Sequence, residues 1–276
     1  MKYKKFIKKI MILWLASYPK SGNTWLRLLL TNYLFDNKKD VFQNLDFFTR
    51  FPRTSQFKDI CKIKEKSLDI YKYFILAQDK INLNNKINFL KTHSINGKVN
   101  NFDFTNKENT AGFIYIVRDP RSVAISNAHH LDIKIDDAVK NIINQNMINY
   151  YNNLADFKSS WKIHYISWKK SIYPRIFIKY EDLHKNTFDT FKNVLEFIKK
   201  FNNLEIDNDK INNAIEKCHF ENLQNHENQF GFKERIGKKN FFRKGSIDEW
   251  MNVLTNEQIK VIESEFDQEM RELQYL

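Results

Sequence analysis

The sequence predicts an α/β protein in which a central, mainly parallel sheet is flanked by helices. An apolar run of strand length at residues 11–17 leads into a glycine-containing loop, and a helical pattern follows the loop. Further apolar runs alternate with amphipathic helical patterns along the chain. Such alternation indicates right-handed crossover units and a sheet covered on both faces. With no internal repeat and no clear linker, we expect one domain over residues 1–276.

Four strands are predicted from apolar runs of strand length. They cover residues 11–17, 87–90, 112–117 and 175–179. Polar residues follow the second strand at Lys91-Thr92-His93 and the third at Arg118-Asp119-Pro120. Because ligands bind at the carboxyl ends of strands in such sheets, these residues are candidates for a functional site.

The helices are predicted from apolar residues at three- and four-residue spacing. A first helix begins near Trp25, and a long one is expected after Asp136 or Asp137. The apolar positions of the long helix are Val139, Ile142, Ile143, Met147, Tyr150, Tyr151 and Leu154. A later helix presents Phe188, Phe191, Leu195 and Ile198 on one face. The pattern Thr255-Asn256-Glu257-Gln258 is a capping box that predicts a final helix running toward Leu276.

The composition excludes several classes of protein. With 42% hydrophobic residues the chain can bury a core, and six Gly and four Pro are too few for a collagen-like or linker-dominated chain. The net charge of +12 favours an anionic partner. Nucleic acid, nucleotide, acidic glycan and anionic membrane all fit that charge, as does a general bias toward Lys, Asn and Ile.

The cysteines and the N-terminus bear on the compartment. Cys61 and Cys218 fit neither a paired-cysteine metal site nor a dense disulfide framework, so we expect a reducing, cytoplasmic setting. The lysine-rich start and the apolar run of residues 1–17 resemble a short signal peptide. We interpret the run as a buried strand instead, because it leads directly into the loop. No apolar stretch approaches the roughly 20 residues of a membrane-spanning helix.

Residues 18–25 read Tyr-Pro-Lys-Ser-Gly-Asn-Thr-Trp, a segment that we name the phosphate loop. A loop at a helix N-terminus binds anions, because free backbone N–H groups and the positive end of the helix dipole face the ligand. Lys20 adds a charge, and Ser21 and Thr24 add hydroxyl donors. In a Walker loop the lysine follows the second glycine, whereas Lys20 precedes Gly22. The unit is therefore P-loop-like without the nucleoside-triphosphatase sequence.

The phosphate loop resembles that of the cytosolic-type sulfotransferase family, which uses 3′-phosphoadenosine 5′-phosphosulfate (PAPS). The family sequence is close to Tyr-Pro-Lys-Ser-Gly-Thr-Thr-Trp, and Asn23 is the one departure within the loop. The resemblance implies that the loop holds the 5′-phosphate of the donor and that its last residue stacks on adenine. The residues so implied are Lys20, Ser21, Gly22, Asn23 and Thr24 for the phosphate and Trp25 for the base.

Two further segments resemble the family's 3′-phosphate site. In residues 115–126 a strand ends at Arg118 and Ser126 follows, although Arg118 and Asp119 taken alone would more simply form an ion pair. Residues 241–250 resemble a segment that closes over the 3′-phosphate, with one extra residue before the tryptophan. The resemblance assigns the phosphate to Arg118, Ser126, Arg243, Lys244 and Gly245, and the adenine border to Tyr180 and Phe220.

Lys91-Thr92-His93 resembles the family's Lys-Thr-His at a strand end, where the histidine takes the proton of the acceptor hydroxyl. An imidazole suits that role near neutral pH. Lys20 and Lys91 are then implied to stabilise charge on the transferring group and the leaving oxygen, so that no metal is required. His129 and His130 are competing bases, but their place on the predicted helix after Ser126 argues against them. A carboxylate within residues 36–86 is another alternative.

The favoured function is therefore sulfuryl transfer in line from PAPS to an acceptor hydroxyl, or to an amine, with adenosine 3′,5′-bisphosphate (PAP) as the second product. The acceptor is expected to be a small molecule or a saccharide and not a nucleic acid. Residues 36–86 are polar and irregular and could form a lid or an acceptor-binding region. The alternatives are a magnesium-dependent kinase on a P-loop-type sheet and a non-catalytic basic module that binds glycans or nucleic acid.

Overall fold

Five parallel strands form the central sheet of the computed structural model, which describes residues 11–35, 40–63, 65–84, 86–236 and 239–276. In chain order the strands of the described ranges are β1 (Ile12–Ala16), β2 (Thr49–Arg50), β3 (Asn88–Thr92), β4 (Lys98–Val99), β5 (Phe102–Asp103), β6 (Thr110–Val117), β7 (Ile148–Tyr151), β8 (Leu154–Phe157) and β9 (Arg175–Lys179). The sheet has the order β2-β3-β1-β6-β9, and every neighbouring pair is parallel. The predicted α/β fold is confirmed.

Helices cover both faces of the sheet. They are α1 (Asn23–Phe35), α2 (Phe74–Ile81), α3 (Pro120–Leu131), α4 (Ile135–Ile143), α5 (Trp161–Lys169), α6 (Tyr180–Lys185), α7 (Thr187–Lys199), α8 (Asn208–Lys217), α9 (Phe220–Phe230), α10 (Trp250–Val253) and α11 (Asn256–Glu272). Short 3₁₀ turns lie at Leu45–Phe47, Thr54–Gln56, Leu68–Tyr73 and Asn82–Asn84. Within the described ranges, none of the helices has the length and apolar character needed to cross a membrane.

The central strand β1 is buried along its whole length and contributes to two apolar cores. Because successive side chains of a strand point to opposite faces, Trp14 packs in the core that contains α5 and α11, whereas Leu13 and Leu15 pack with α1 and α7. The indole N–H of Trp14 donates to Thr110 Oγ1 at 3.0 Å, so its polar atom is satisfied within the core.

The register of the sheet brings three strand ends together. Ala16 of β1 lies beside Thr92 of β3 on one side and Tyr115 of β6 on the other. Since the strands are parallel, the segments that follow them leave from the same edge. The phosphate loop, His93 and Arg118 therefore lie at one edge of the sheet.

The predicted long helix after Asp136 is wrong beyond Ile143. Helix α4 ends there, and β7 and β8 form an antiparallel hairpin in its place. Asn152 and Asn153 make the two-residue turn, and both have positive φ, 49° and 66°. Asparagine tolerates this conformation, which the tight turn of a hairpin requires. The apolar spacing of residues 147–154 fits a helix by coincidence, and α5 was not predicted.

The other predicted elements agree with the structure. The strand at Arg175–Lys179 is present, and α7 buries Phe191, Leu195 and Ile198. Helix α11 begins with the capping box, in which Thr255 Oγ1 accepts from the N–H of Gln258, and it ends at Glu272. Both cysteines are unpaired. Residues 1–10, which carry the lysine-rich start of the signal-peptide alternative, lie outside the described residues.

Candidate active site

A cavity of about 750 Å³ opens at the carboxyl edge of the sheet. It gathers the phosphate loop, the end of β3, the start of α3 and the segment before α10. All but one of the predicted site residues line it, namely Lys20, Gly22, Asn23, Thr24, Trp25, Lys91, His93, Arg118, Ser126, Tyr180, Phe220, Arg243, Lys244 and Gly245.

Ser21 is the exception. Its side chain is fully buried, its hydroxyl has no partner within the described residues, and it does not line the cavity. A hydroxyl without a partner can still donate to a bound anion, so the role of Ser21 at the 5′-phosphate stays a prediction. Asn23 lines the cavity, but its amide donates to Leu15 O and accepts from Arg27, both contacts within the protein.

The backbone of the phosphate loop requires glycine at position 22. Gly22 has a φ of 99°, a conformation that other residues rarely adopt. A Cβ there would lie 2.5 Å from Cδ2 of Tyr180, so the tyrosine ring packs directly on the glycine. Helix α1 begins at Asn23, immediately after this turn, and its N-terminus faces the cavity.

Aromatic rings form one wall of the cavity beside this loop. Trp25 packs edge-on against Tyr180 with 5.7 Å between ring centroids, and its indole N–H donates to Cys218 O at 3.0 Å. The hydroxyl of Tyr180 donates to Gly245 O at 2.9 Å. Gly245, with a φ of 67°, lies against the ring of Phe220. The wall thus joins the phosphate loop to the segment before α10.

Arg118 lies between the same two segments. Its guanidinium donates to Lys20 O at 3.2 Å and to Ser246 O at 2.9 Å, and it stacks 4.2 Å from the centroid of Tyr180. Its Nε is buried without a partner within the described residues. Asp119 pairs with Arg121 at 2.6 Å and caps α3, so the local ion pair between Arg118 and its neighbour does not form.

Arg243 and Lys244, predicted to hold the 3′-phosphate, each contact Glu249. The guanidinium of Arg243 forms two hydrogen bonds to the Glu249 carboxylate, one of them at 2.7 Å between Nη1 and Oε1. Lys244 Nζ lies 3.1 Å from Glu249 Oε1. The hydrogen bonds from Arg243 hold the pKa of Glu249 below its usual range, so the carboxylate is charged. Sequence reasoning noted the extra residue before Trp250 but assigned it no role.

Sequence reasoning missed Glu234, whose carboxylate lies among the predicted donor-binding residues. It accepts from Thr24 Oγ1 at 2.8 Å and from Lys91 Nζ at 2.7 Å, and it pairs with Arg27 at 2.7 Å. Burial opposes its ionisation, but the charges of Arg27 and Lys91 outweigh burial and hold the Glu234 pKa well below its usual range. Glu234 lies in a polar loop, and nothing in the local sequence indicates that its carboxylate is buried among these cations.

The two predicted catalytic lysines are crowded by other cations. Burial, with the neighbouring charge of Arg118, lowers the pKa of Lys20 to about 7. Burial, with the charge of Arg27, lowers the pKa of Lys91 to about 7 despite its contact with Glu234. A bound anion stabilises the charged form of such lysines. The site therefore favours an anionic ligand.

The hydrogen bonds of His93 fix its tautomer. Nδ1 lies 2.8 Å from Ser17 O, and because a carbonyl can only accept, Nδ1 carries the proton and Nε2 has a free lone pair. Burial and the charge of Lys91 lower the His93 pKa well below its usual range, so the ring is neutral near pH 7. The ring lines the cavity.

His129 and His130 line the same cavity, so their place on α3 does not remove them from the site as expected. Nε2 of His129 contacts Asn240 O at 2.9 Å. Burial and the charge of Lys20 lower the pKa of His130 to about 4. Within the described part of residues 36–86, the acidic residue that lines the cavity is Asp46, which pairs with Lys233 at 2.8 Å.

Comparison with known proteins decides the family. The model of the sulfotransferase domain family matches residues 12–274. The chain is a member of this family.

Relatives of this sulfotransferase cover most of its length. Flavonol 3-sulfotransferase of Flaveria bidentis is 27% identical over 271 residues, which are 93% of this chain and 80% of the relative. The amine sulfotransferase of Oryctolagus cuniculus is 22% identical, over 93% of this chain and 79% of its own. Cytosolic sulfotransferase 15 of Arabidopsis thaliana is 24% identical, with 93% and 71% covered.

Solved structures share the fold of this sulfotransferase. Mouse sulfotransferase SULT7A1 in complex with PAP superposes with a TM-score of 0.61 at 19% identity, over 95% of this chain and 84% of that one. Retinol dehydratase in complex with androsterone and PAP gives a TM-score of 0.61 at 19% identity, with 94% and 80% covered.

The activity of this sulfotransferase is PAPS-dependent sulfuryl transfer, as predicted from the phosphate loop and the segments around Arg118 and Arg243. The kinase and the non-catalytic basic module find no support.

Proposed function

We propose that this sulfotransferase binds PAPS across the cavity and transfers the sulfuryl group to an acceptor hydroxyl, with His93 as the general base. One observation carries the assignment: a single cavity contains the phosphate loop, Arg118 and His93 at the same edge of the sheet. The phosphate loop would hold the 5′-phosphosulfate. Arg118 and Ser126, with the segment 243–245, would hold the 3′-phosphate, and the wall of Trp25, Tyr180 and Phe220 would border the adenine.

The residues fit this donor in two respects. The buried Nε of Arg118 has no partner within the described residues, and a phosphate oxygen is the acceptor that a guanidinium prefers. Lys20 and Lys91 both have pKa values lowered to about 7, which a dianionic group would raise. The cationic groups that we assign to the donor are all side chains, and the proposal therefore names no metal.

In the proposed reaction the acceptor oxygen forms a bond to sulfur while the bond between sulfur and the bridging phosphate oxygen breaks. The proton of the acceptor hydroxyl passes to Nε2 of His93, whose other nitrogen donates to Ser17 O. Lys20 and Lys91 stabilise negative charge on the transferring group and on the oxygen that leaves with PAP.

The remaining properties are proposed from the same features. The acceptor is a small molecule or a saccharide with a hydroxyl group, or an amine, and not a nucleic acid. The names of three relatives refer to flavonols and amines. We propose one domain over residues 1–276, since both apolar cores pack on the same sheet. We also propose a cytoplasmic location, in line with two unpaired cysteines and with relatives called cytosolic.

The donor site is tested by calorimetric titration with PAP, because this needs no knowledge of the acceptor. We expect PAP to bind more tightly than ADP or the 3′-dephosphorylated nucleotide, and Arg118→Ala to remove most of the difference. Equal binding of all three nucleotides would contradict the assignment of Arg118.

The base is tested with His93→Ala and a matched control, His226→Ala, which alters a histidine outside the cavity that pairs with Asp40. With PAPS and a panel of simple phenols, we expect His93→Ala to lower kcat by about 10²–10⁴-fold, the usual contribution of general base catalysis. His226→Ala should match the parent protein. Full activity of His93→Ala would show that another group takes the proton.

A further inference from the structure

Lys158, which follows β8, is a buried ammonium group that the proposed mechanism does not use. Lys158 is only 2% exposed, yet it lines the same cavity as His93. A lysine side chain is rarely buried unless it is paired. Its position therefore requires a physical explanation.

Within the described residues, Nζ of Lys158 has no hydrogen-bond acceptor and no ion pair. The ammonium makes a cation–π contact with the ring of Tyr18, whose centroid lies 5.4 Å from Nζ. Asp156 is a nearby carboxylate that acts on Lys158 electrostatically, but it already accepts from Arg50 at 2.6 Å and from Ser94 at 2.6 Å. The positive charge of Lys158 is therefore not matched by a carboxylate of its own.

The backbone holds Lys158 in this place. Its N–H and that of Ser159 both donate to Met147 O at 3.1 Å, and the hydroxyl of Ser159 donates to Gln145 O at 2.7 Å. Ser159 has a positive φ of 56°, which turns the chain sharply after Lys158. The ammonium is thus presented to the cavity by a constrained segment.

Burial lowers the pKa of Lys158 to about 8, even though Asp156 acts in the opposite direction. The desolvation of the charged form is therefore only partly compensated by the protein. An anion bound from the cavity would supply the missing partner. Elsewhere the cavity lining includes two exposed cations, Arg53 and Arg235, and its acidic Asp46 is already paired with Lys233.

We propose that Lys158 binds an anionic group on the acceptor, so that the preferred acceptor carries a negative charge in addition to the hydroxyl that is sulfated. This inference rests on the proposed function, because it takes the cavity beyond His93 as the acceptor site. It makes Lys158 a determinant of acceptor specificity.

The test measures acceptor binding to the complex of the protein with PAP, which needs no turnover. The probes are 4-hydroxybenzoate, 4-hydroxyphenylacetate and 3-(4-hydroxyphenyl)propionate, each paired with its methyl ester, and 4-hydroxybenzenesulfonate paired with its sulfonamide. We expect at least one anion to bind about tenfold or more tightly than its neutral partner, as a charge-assisted hydrogen bond allows.

Three variants test whether Lys158 causes the preference for the anionic probes. Lys158→Met should bring the ratio of the two affinities close to one, and Lys158→Arg should keep most of it. Lys170→Met changes an exposed lysine outside the cavity and should leave the ratio unaltered. A thermal melt with PAP verifies that each variant is folded.

The outcomes separate this inference from the proposed function. If PAP fails to bind the parent protein, the donor site is wrong. If PAP binds but no anion is preferred over its neutral partner, or Lys158→Met keeps the preference, Lys158 does not recognise the acceptor although the donor site stands.

Discussion

The carboxylate of Glu234 lies 2.7 Å from the ammonium of Lys91 and joins it to Thr24 and Arg27. In the proposed function, Thr24 belongs to the loop that holds the phosphosulfate and Lys91 stabilises charge on the transferring group. A side-chain anion thus occupies the contacts that the anion of the donor would use. Donor binding must displace this carboxylate or share its cations.

We expect Glu234→Gln to raise the affinity for PAP by several-fold, because the amide removes a competing negative charge. The same change should lower the melting temperature without ligand, since Arg27 is 2% exposed and loses its charged partner. Calorimetry and thermal melts measure the two effects. Glu257→Gln, on an exposed residue outside the cavity, is the control. Weaker binding of PAP would mean that Glu234 supports the donor site instead of competing for it.

Glu249 contacts Arg243 and Lys244, which are predicted to hold the 3′-phosphate, just as Glu234 contacts Thr24 and Lys91. We expect Glu249→Gln to strengthen binding of PAP but not of adenosine 5′-phosphate, which lacks the 3′-phosphate. Removing a charge-assisted contact frees both cations for the ligand. The ratio of the two dissociation constants is the measurement. An equal gain for both nucleotides would place the effect elsewhere than at the 3′-phosphate.

Binding of PAP should take up protons at pH 7.5. Lys20 and Lys91 have pKa values near 7 in the unliganded protein, so both are partly neutral at that pH. An anionic ligand raises both pKa values, and affinity must therefore fall as the pH rises through 7. Calorimetry in two buffers of different ionisation enthalpy measures the uptake. It should shrink in Lys20→Met and persist in Lys170→Met; equal uptake in both variants would show that Lys20 does not take part.

A methyl group at position 22 should destabilise the phosphate loop. Gly22→Ala places a Cβ 2.5 Å from Tyr180 at a φ of 99°, whereas Gly97→Ala meets its nearest neighbour at an ordinary 3.6 Å. We expect Gly22→Ala to cost about 1–3 kcal/mol of unfolding free energy and to weaken PAP binding. Denaturant unfolding measures the cost. Equal stability of the two variants would show that Tyr180 moves freely away from the loop.

The sequence was sufficient for the parts of the fold and site that depend on local pattern. The buried runs that became β1, β3, β6 and β9 are apolar and bounded by turn residues, and the phosphate loop is a contiguous motif. Parallel topology then implied that Lys20, His93 and Arg118 share an edge, because strand ends meet there.

Features that depend on the approach of distant segments were not predicted. Lys91 and Glu234 are 143 residues apart, and no periodicity links them. The helix prediction runs into the hairpin of β7 and β8 because three hairpin residues, Tyr150, Tyr151 and Leu154, also fit a spacing of three and four. The burial of Lys158 follows from that hairpin and could not be inferred without it.

The hairpin also affects how acceptor selectivity can differ between sulfotransferases of this fold. It lies outside the five-stranded sheet, and its Tyr150 and Tyr151 form part of the cavity wall. It is nevertheless attached to β2, because Arg50 pairs with Asp156 and its guanidinium lies 3.3 Å from the ring centroid of Tyr151. Grafting residues 148–158 from one protein into another should therefore transfer selectivity only when the residue at position 50 is exchanged with them.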